Sequence, residues 1–221
     1  MAPDRAAIFD MDGLLVDSEP LWHVAEVEIL GALGVPLDRD GTRGTKGMFV
    51  DEVTTFWFAR YPWAGPSPAE VAEQVVDRVG ELTLERGVVL PGALEAVAAM
   101  DERGPIGLAS STPRRLIDVV LGHIGLSEAF AVICSAEDEA YGKPHPAVFL
   151  TAAALLGADA ERCIVFEDAP AGVLAAKAGR MRCVAVPEVS DRSAVEIGLA
   201  DIVLDSLADL DLALVDQLLR R

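Results

Sequence analysis

The stretch Ala6-Ala7-Ile8-Phe9-Asp10-Met11-Asp12-Gly13 decides the reading of this chain. Four apolar residues in unbroken succession mark a strand buried on both faces, not one wetted at alternate positions. The run stops at a carboxylate, a second follows two positions on, and a glycine then frees the backbone to turn. Similar runs recur down the chain. Ile106-Gly107-Leu108-Ala109 precedes Ser110, and Cys163-Ile164-Val165-Phe166 precedes Glu167-Asp168. Ala131-Val132-Ile133-Cys134, Cys183-Val184-Ala185-Val186 and Ile202-Val203-Leu204 complete the set.

Helical patterns fill the intervals at 93–102, 114–123, 144–156 and 169–178, with glycines at or just past their ends. Pro113 is expected at the first helical position of its segment. Repeated strand–helix alternation predicts an α/β chain: a Rossmann-like, doubly wound parallel sheet with right-handed crossovers. One region breaks the rhythm. From Ser18 to Gly87 no buried-strand run occurs, and 22–33, 50–59 and 68–84 read as amphipathic helices. An interval of about 70 residues is too long for a crossover loop. The expected organisation is a core of residues 1–16 and 89–221, interrupted by an inserted all-helical cap at 17–88.

Composition sets the outer bounds. The chain has 221 residues and is 52% hydrophobic, which excludes intrinsic disorder. It carries 36 acidic against 18 basic residues, a formal charge of −18. No Lys/Arg stripe is present to neutralise a phosphate backbone, so no nucleic-acid partner is expected. A small phosphorylated ligand needs only a local cation, a metal or backbone N–H groups, and stays compatible. Cys134, Cys163 and Cys183 are scattered and mostly set in apolar runs, the pattern of reduced, buried thiols. No apolar run of membrane-spanning length and no leader pattern is seen, so the expectation is a cytoplasmic protein without a membrane partner. Lysine is scarce, with only Lys46, Lys143 and Lys177, which draws attention to each of them.

In open α/β sheets ligands bind beyond the C-terminal strand ends. The residues expected there are Asp10 and Asp12, then Ser110, Ser111 and Thr112, then Glu167 and Asp168, with Lys143 in Gly142-Lys143-Pro144. Each group has a plainer reading as well. Asp10 and Asp12 fit a solvated turn, the hydroxyls fit a helix N-cap cluster, and Asp168 fits a cap for the helix beginning near Pro170. Two carboxylates at i and i+2 off one strand point to one side and repel unless a cation is near. Acids after two strands suggest a hard cation with oxygen ligands. His145 is open as a second polar contact, while His23 and His123 read as ordinary helix residues. No nucleophile elbow, zinc spacing, P-loop or dinucleotide fingerprint occurs.

Taken together, four segments resemble the motifs of the haloacid dehalogenase superfamily. They are Phe9-Asp10-Met11-Asp12-Gly13, Leu108-Ala109-Ser110-Ser111, Gly142-Lys143-Pro144-His145-Pro146 and Phe166-Glu167-Asp168-Ala169-Pro170-Ala171-Gly172. Trp57-Phe58-Ala59-Arg60, Pro62-Trp63 and Gly65-Pro66-Ser67 are similar to the cap of bacterial 2-deoxyglucose-6-phosphate and hexitol phosphatases. The resemblance implies a Mg²⁺-dependent phosphatase acting on a small phosphorylated metabolite, a sugar or polyol phosphate. It implies Asp10 as nucleophile, Asp12 as general acid/base, and Ser110, Ser111 and Lys143 on the phosphoryl oxygens. It further implies Mg²⁺ on the Asp10 carboxylate, the Asp12 carbonyl and Asp168, with Glu167 near it. Such caps commonly carry Gly-Leu-Arg where this chain has Gly47-Met48-Phe49. Lys46, Arg43 and Glu19 are therefore the cap residues expected to meet substrate. A monomer is expected.

Other readings stay open on these residues. A β-phosphoglucomutase would place a histidine where Trp22 stands, with His23 one residue off. A phosphonoacetaldehyde hydrolase would use a cap lysine, here Lys46. A catalytically inactive sugar-phosphate-binding module would normally lack one of Asp10, Asp12 and Asp168, all of which are present. A phosphoacceptor receiver domain lacks the inserted cap.

Overall fold

A computed structural model describes residues 5–37 and 48–219. Six strands form one all-parallel sheet: β1 (Ala6–Phe9), β2 (Ile106–Ser110), β3 (Val132–Ser135), β4 (Cys163–Glu167), β5 (Arg182–Ala185) and β6 (Ile202–Val203). Their spatial order is β3-β2-β1-β4-β5-β6. The order reverses direction at β1, so a crevice opens between the ends of β1 and β4, where such sheets bind ligands. The apolar runs mark the strands because helices cover both faces. Side chains alternate between two separate cores. Phe9, Leu108 and Phe166 enter one, and Ile8, Ala109, Val165 and Cys183 enter the other. Phe9 and Phe166 are register partners, and their rings stack with centroids 4.5 Å apart.

Between β1 and β2 come α1 (Glu19–Ala32), α2 (Val50–Arg60), α3 (Pro68–Arg86) and α4 (Ala93–Asp101). The first three pack on one another around Leu30, Val35, Val53, Trp57 and Val71, giving the helical cap a small core of its own. Helix α3 has the strongest local start signal. Ser67 accepts from the Glu70 N–H, Glu70 reaches back to the Ser67 N–H at 2.7 Å, and Pro68 opens the helix. The chain leaves and re-enters the sheet side by side. The Asp17 N–H donates to the Val88 carbonyl at 2.9 Å and the Leu90 N–H to the Leu15 carbonyl at 3.0 Å.

Helices α5 (Arg114–His123), α6 (Ala147–Leu156), α7 (Pro170–Ala178) and α8 (Leu212–Leu218) complete the fold. One helix starts later than the sequence suggests, and one proline sits a position outside its helix. Pro113 is the N-cap of α5, not its first helical residue, and Pro146 caps α6, so the helix begins at Ala147 and not near Pro144. The residue before a proline is pushed out of helical geometry, which holds His145 outside the helix. Among the described residues no helix is long and apolar enough to cross a membrane.

Candidate active site

The pleat itself places the acids. Phe9 and Phe166 pair across the ladder, and the Asp10 N–H continues it by donating to the Phe166 carbonyl at 3.0 Å. Asp10 and Glu167 therefore leave adjacent strands side by side, on the face opposite the stacked rings. Asp168 follows at once. Asp10, Glu167 and Asp168 are all buried, and one carboxylate oxygen of each lies within 4.8 Å of the others. Two glycines make the room. Gly13 has φ +72, and a Cβ there would overlap the Asp168 carboxylate. A Cβ on Gly172, in the first turn of α7, would overlap the Glu167 carboxylate.

Lys143 reaches this cluster from the loop before α6. Its Nζ donates to Asp10 Oδ1 at 2.6 Å and to Glu167 Oε1 at 2.7 Å, and stands 4.7 Å from the centroid of the Phe149 ring. Glu167 Oε2 accepts the Ala169 N–H at 2.7 Å. Burial works against the ammonium, yet Asp10 and Glu167 beside it hold Lys143 above the usual lysine value. Burial is also the largest influence on Asp10. With Glu167 and Asp12 reinforcing it and Lys143 opposing, Asp10 is pushed up to about 7. With Asp10 ionised, three carboxylates against one ammonium leave two negative charges, 3 − 1 = 2, in an all-oxygen donor set. That set fits a divalent hard cation.

Asp12 departs from the expected pairing. Strand β1 ends at Phe9 and the chain turns, so the i, i+2 alternation does not carry the Asp12 side chain into the acidic cluster. Thr112 Oγ1 donates to Asp12 Oδ2 at 2.5 Å, with Ser110 Oγ at 3.4 Å from the same oxygen. Trp22 Nε1, on α1 of the cap, donates to Asp12 Oδ1 at 3.1 Å. Ser110 Oγ in turn accepts the Thr112 N–H at 3.1 Å, which orients it at the end of β2. The two acids thus occupy different settings: Asp10 is buried against an ammonium, and Asp12 is half-buried beneath neutral donors.

These groups share one cleft of about 580 Å³, within the range of small-molecule sites. Asp10, Asp12, Ser110, Ser111, Lys143, Glu167 and Asp168 line its core side, and Glu19 lines its cap side. Lys46 and Arg43 lie outside the described residues. Phe49, where the resemblance expects arginine, packs its ring on the backbone of Gly142 beside Lys143. His145 turns to its own backbone, accepting the Ala147 N–H at Nδ1, and is not part of the cleft wall. The helix capping expected of Asp168 is absent. Ala169 is the N-cap of α7, without a side-chain bond, and Glu167 takes the Ala169 N–H.

Thr112 stands in the cleft where the sequence reading expects it, while Trp22, His23 and Glu26 escape that reading. Thr112 carried a usable signal, because it belongs to the same strand-end hydroxyl cluster as Ser110. The others sit on a helix whose cleft-facing side no local pattern reveals.

Sheet order, switch-point acids, buried lysine and inserted helices together define a class. Residues 5–180 match the haloacid dehalogenase-like hydrolase family, and the chain belongs to that family; it is an enzyme of its phosphatase type. Within the family it is 45% identical over 207 residues to hexitol phosphatase B of Escherichia coli strain K12, covering 93% of each chain. It is 30% identical to β-phosphoglucomutase of Bacillus subtilis over 222 residues, covering 96% of this chain and 94% of the relative. Among solved structures it resembles CbbY from Rhodobacter sphaeroides in complex with phosphate, with a TM-score of 0.86 and 29% identity. That match covers 96% of this chain and 99% of the other.

Proposed function

We propose that this chain is a Mg²⁺-dependent phosphatase of a small sugar or polyol phosphate, acting through an aspartyl-phosphate on Asp10. The observation that carries the reading is the separation of roles between the two acids. Asp10 is aimed by Lys143 into the acidic cluster, while Asp12 is held apart by Thr112 and Trp22. A nucleophile and an acid/base need such different settings.

In the first step an Asp10 oxygen attacks phosphorus, the ester P–O bond breaks, and Asp12 gives its proton to the leaving alkoxide. In the second, Asp12 takes a proton from water as that water attacks phosphorus. The acyl-phosphate P–O bond breaks, Asp10 is restored and inorganic phosphate leaves. Lys143, the Ser110 hydroxyl and the strand-end donors around Ser111 hold the equatorial oxygens. Asp10, Asp168 and the Asp12 carbonyl would hold Mg²⁺, with Glu167 fixing Lys143 beside it. When bound, the metal supplies charge neutralisation between phosphate dianion and carboxylate and favours the ionised Asp10. The cap helices cover the cleft and exclude water. The similarity to a protein named hexitol phosphatase supports a hexitol phosphate as substrate.

Release of phosphate from a panel of sugar and polyol phosphates, with and without Mg²⁺, tests this reading in wild type and Asp10→Asn. The expected result is Mg²⁺-dependent release that Asp10→Asn abolishes. Substantial release by that variant overturns the mechanism.

A further inference from the structure

Helix α1 turns one side to the cleft, with Glu19, Trp22, His23 and Glu26 all contributing to its wall. The spacing i, i+3, i+4, i+7 is a single helical face. Met48, Val50 and Val53 line the same cleft and add apolar surface to its wall. Trp22 touches Asp12, so it marks the level of the leaving oxygen. Glu26 lies one turn further into the cap, about 6 Å along the axis, the scale of a short sugar or polyol chain.

Glu26 is the anomaly of this stripe. It is only 8% exposed, and it makes no hydrogen bond or ion pair among the described residues. A buried carboxyl without a partner costs stability. It lines the cleft. We infer that Glu26 is a specificity-determining residue whose carboxyl recognises a hydroxyl of an uncharged, polyhydroxylated leaving group. This rests on the phosphatase reading above and deepens it.

Burial, with Glu19 adding to it, raises Glu26 to about 7. The neutral carboxyl offers one O–H donor and a carbonyl acceptor, matching a hydroxyl that both donates and accepts. The apolar surface of Met48, Val50 and Val53 suits the C–H face of the same chain.

The test compares wild type, Glu26→Leu and Glu26→Gln on sorbitol 6-phosphate and on p-nitrophenyl phosphate, whose leaving group has no hydroxyl chain. Glu26→Leu is expected to lower the ratio of the two kcat/KM values by about ten-fold or more, chiefly through KM for the polyol substrate. Glu26→Gln keeps a donor and an acceptor, and should restore the ratio to within about three-fold of wild type. The inference falls if Glu26→Leu leaves the ratio unchanged or depresses both substrates equally, or if Glu26→Gln fails to restore it. Wild type that cleaves p-nitrophenyl phosphate and no polyol phosphate would instead overturn the substrate reading itself.

Discussion

Replacing Glu26 by glutamine should make this protein more stable, and by an amount that depends on pH. The carboxyl rises from 4.5 to about 7 on folding, chiefly through burial. Below about 4.5 it is protonated in both states and contributes nothing to the pH dependence. Between about 4.5 and about 7 the unfolded chain ionises while the folded chain keeps its proton, so stability falls as pH rises. Above about 7 the loss is complete. At about 1.4 kcal/mol per pH unit, the difference amounts to about 3 kcal/mol. Glutamine cannot ionise and escapes it. Glu19, His23 and Asp12 share the cleft wall and are present in both proteins, so the comparison between variant and wild type isolates Glu26. Urea unfolding of both at pH 5 and pH 8 reads it directly. The stability gap in favour of Glu26→Gln should be about 2.5 kcal/mol wider at pH 8 than at pH 5, where the unfolded carboxyl is already partly ionised, or roughly 5–10 °C in Tm for a chain of this size. A gap of equal size at the two pH values would mean that Glu26 ionises freely in the folded protein and that burial does not hold its proton.

Other outcomes follow from the same geometry. Thr112→Val removes a hydroxyl 2.5 Å from Asp12 Oδ2 and should lower kcat by about ten- to one-hundred-fold, the value of a hydrogen bond to a charged group. Unchanged steady-state kinetics would show that Asp12 does not need it. Trp22→Phe removes an N–H donor to Asp12 Oδ1 and should cost about five- to ten-fold in kcat. Its partial rescue by Trp22→His would distinguish loss of the donor from loss of ring packing. Gly172→Ala should lower both activity and Tm, although alanine in a helix ordinarily gains about 1 kcal/mol over glycine. The added Cβ displaces the Glu167 carboxylate from Lys143 and the Ala169 N–H. A thermal melt showing Gly172→Ala more stable than wild type would contradict that placement.

The sheet is legible in the sequence because parallel strands are buried on both faces, so Ala6–Phe9 and Cys163–Glu167 stand out as unbroken apolar runs. Residues at strand ends are legible for the same reason, since a run ending in Asp10 or Glu167 leaves the acid at the rim. What stays hidden is pairing at long range. Nothing local tells that Asp12 turns away from Asp10 toward Thr112, one hundred positions later. The helix start near Pro146 is displaced because proline geometry acts on its predecessor, which hydrophobic spacing does not register. Glu26 is invisible because a glutamate on a helix reads as solvated. Only the fold of α1 against the cleft makes it a buried acid.

The doorway through which the chain leaves and re-enters the sheet has a consequence for the molecule as a platform. Asp17 and Val88, and Leu15 and Leu90, are hydrogen-bonded neighbours. The intervening segment begins and ends at one place, so the sheet experiences it as a closed loop of whatever size. Closing a flexible loop twice as long costs only about 0.6 kcal/mol more. The helices can therefore be lengthened, shortened or exchanged at this doorway with little thermodynamic consequence for the strands that carry Asp10, Ser110 and Glu167. Such an arrangement makes the upper half of the cleft an interchangeable attachment, docked on a chassis that need not be rebuilt.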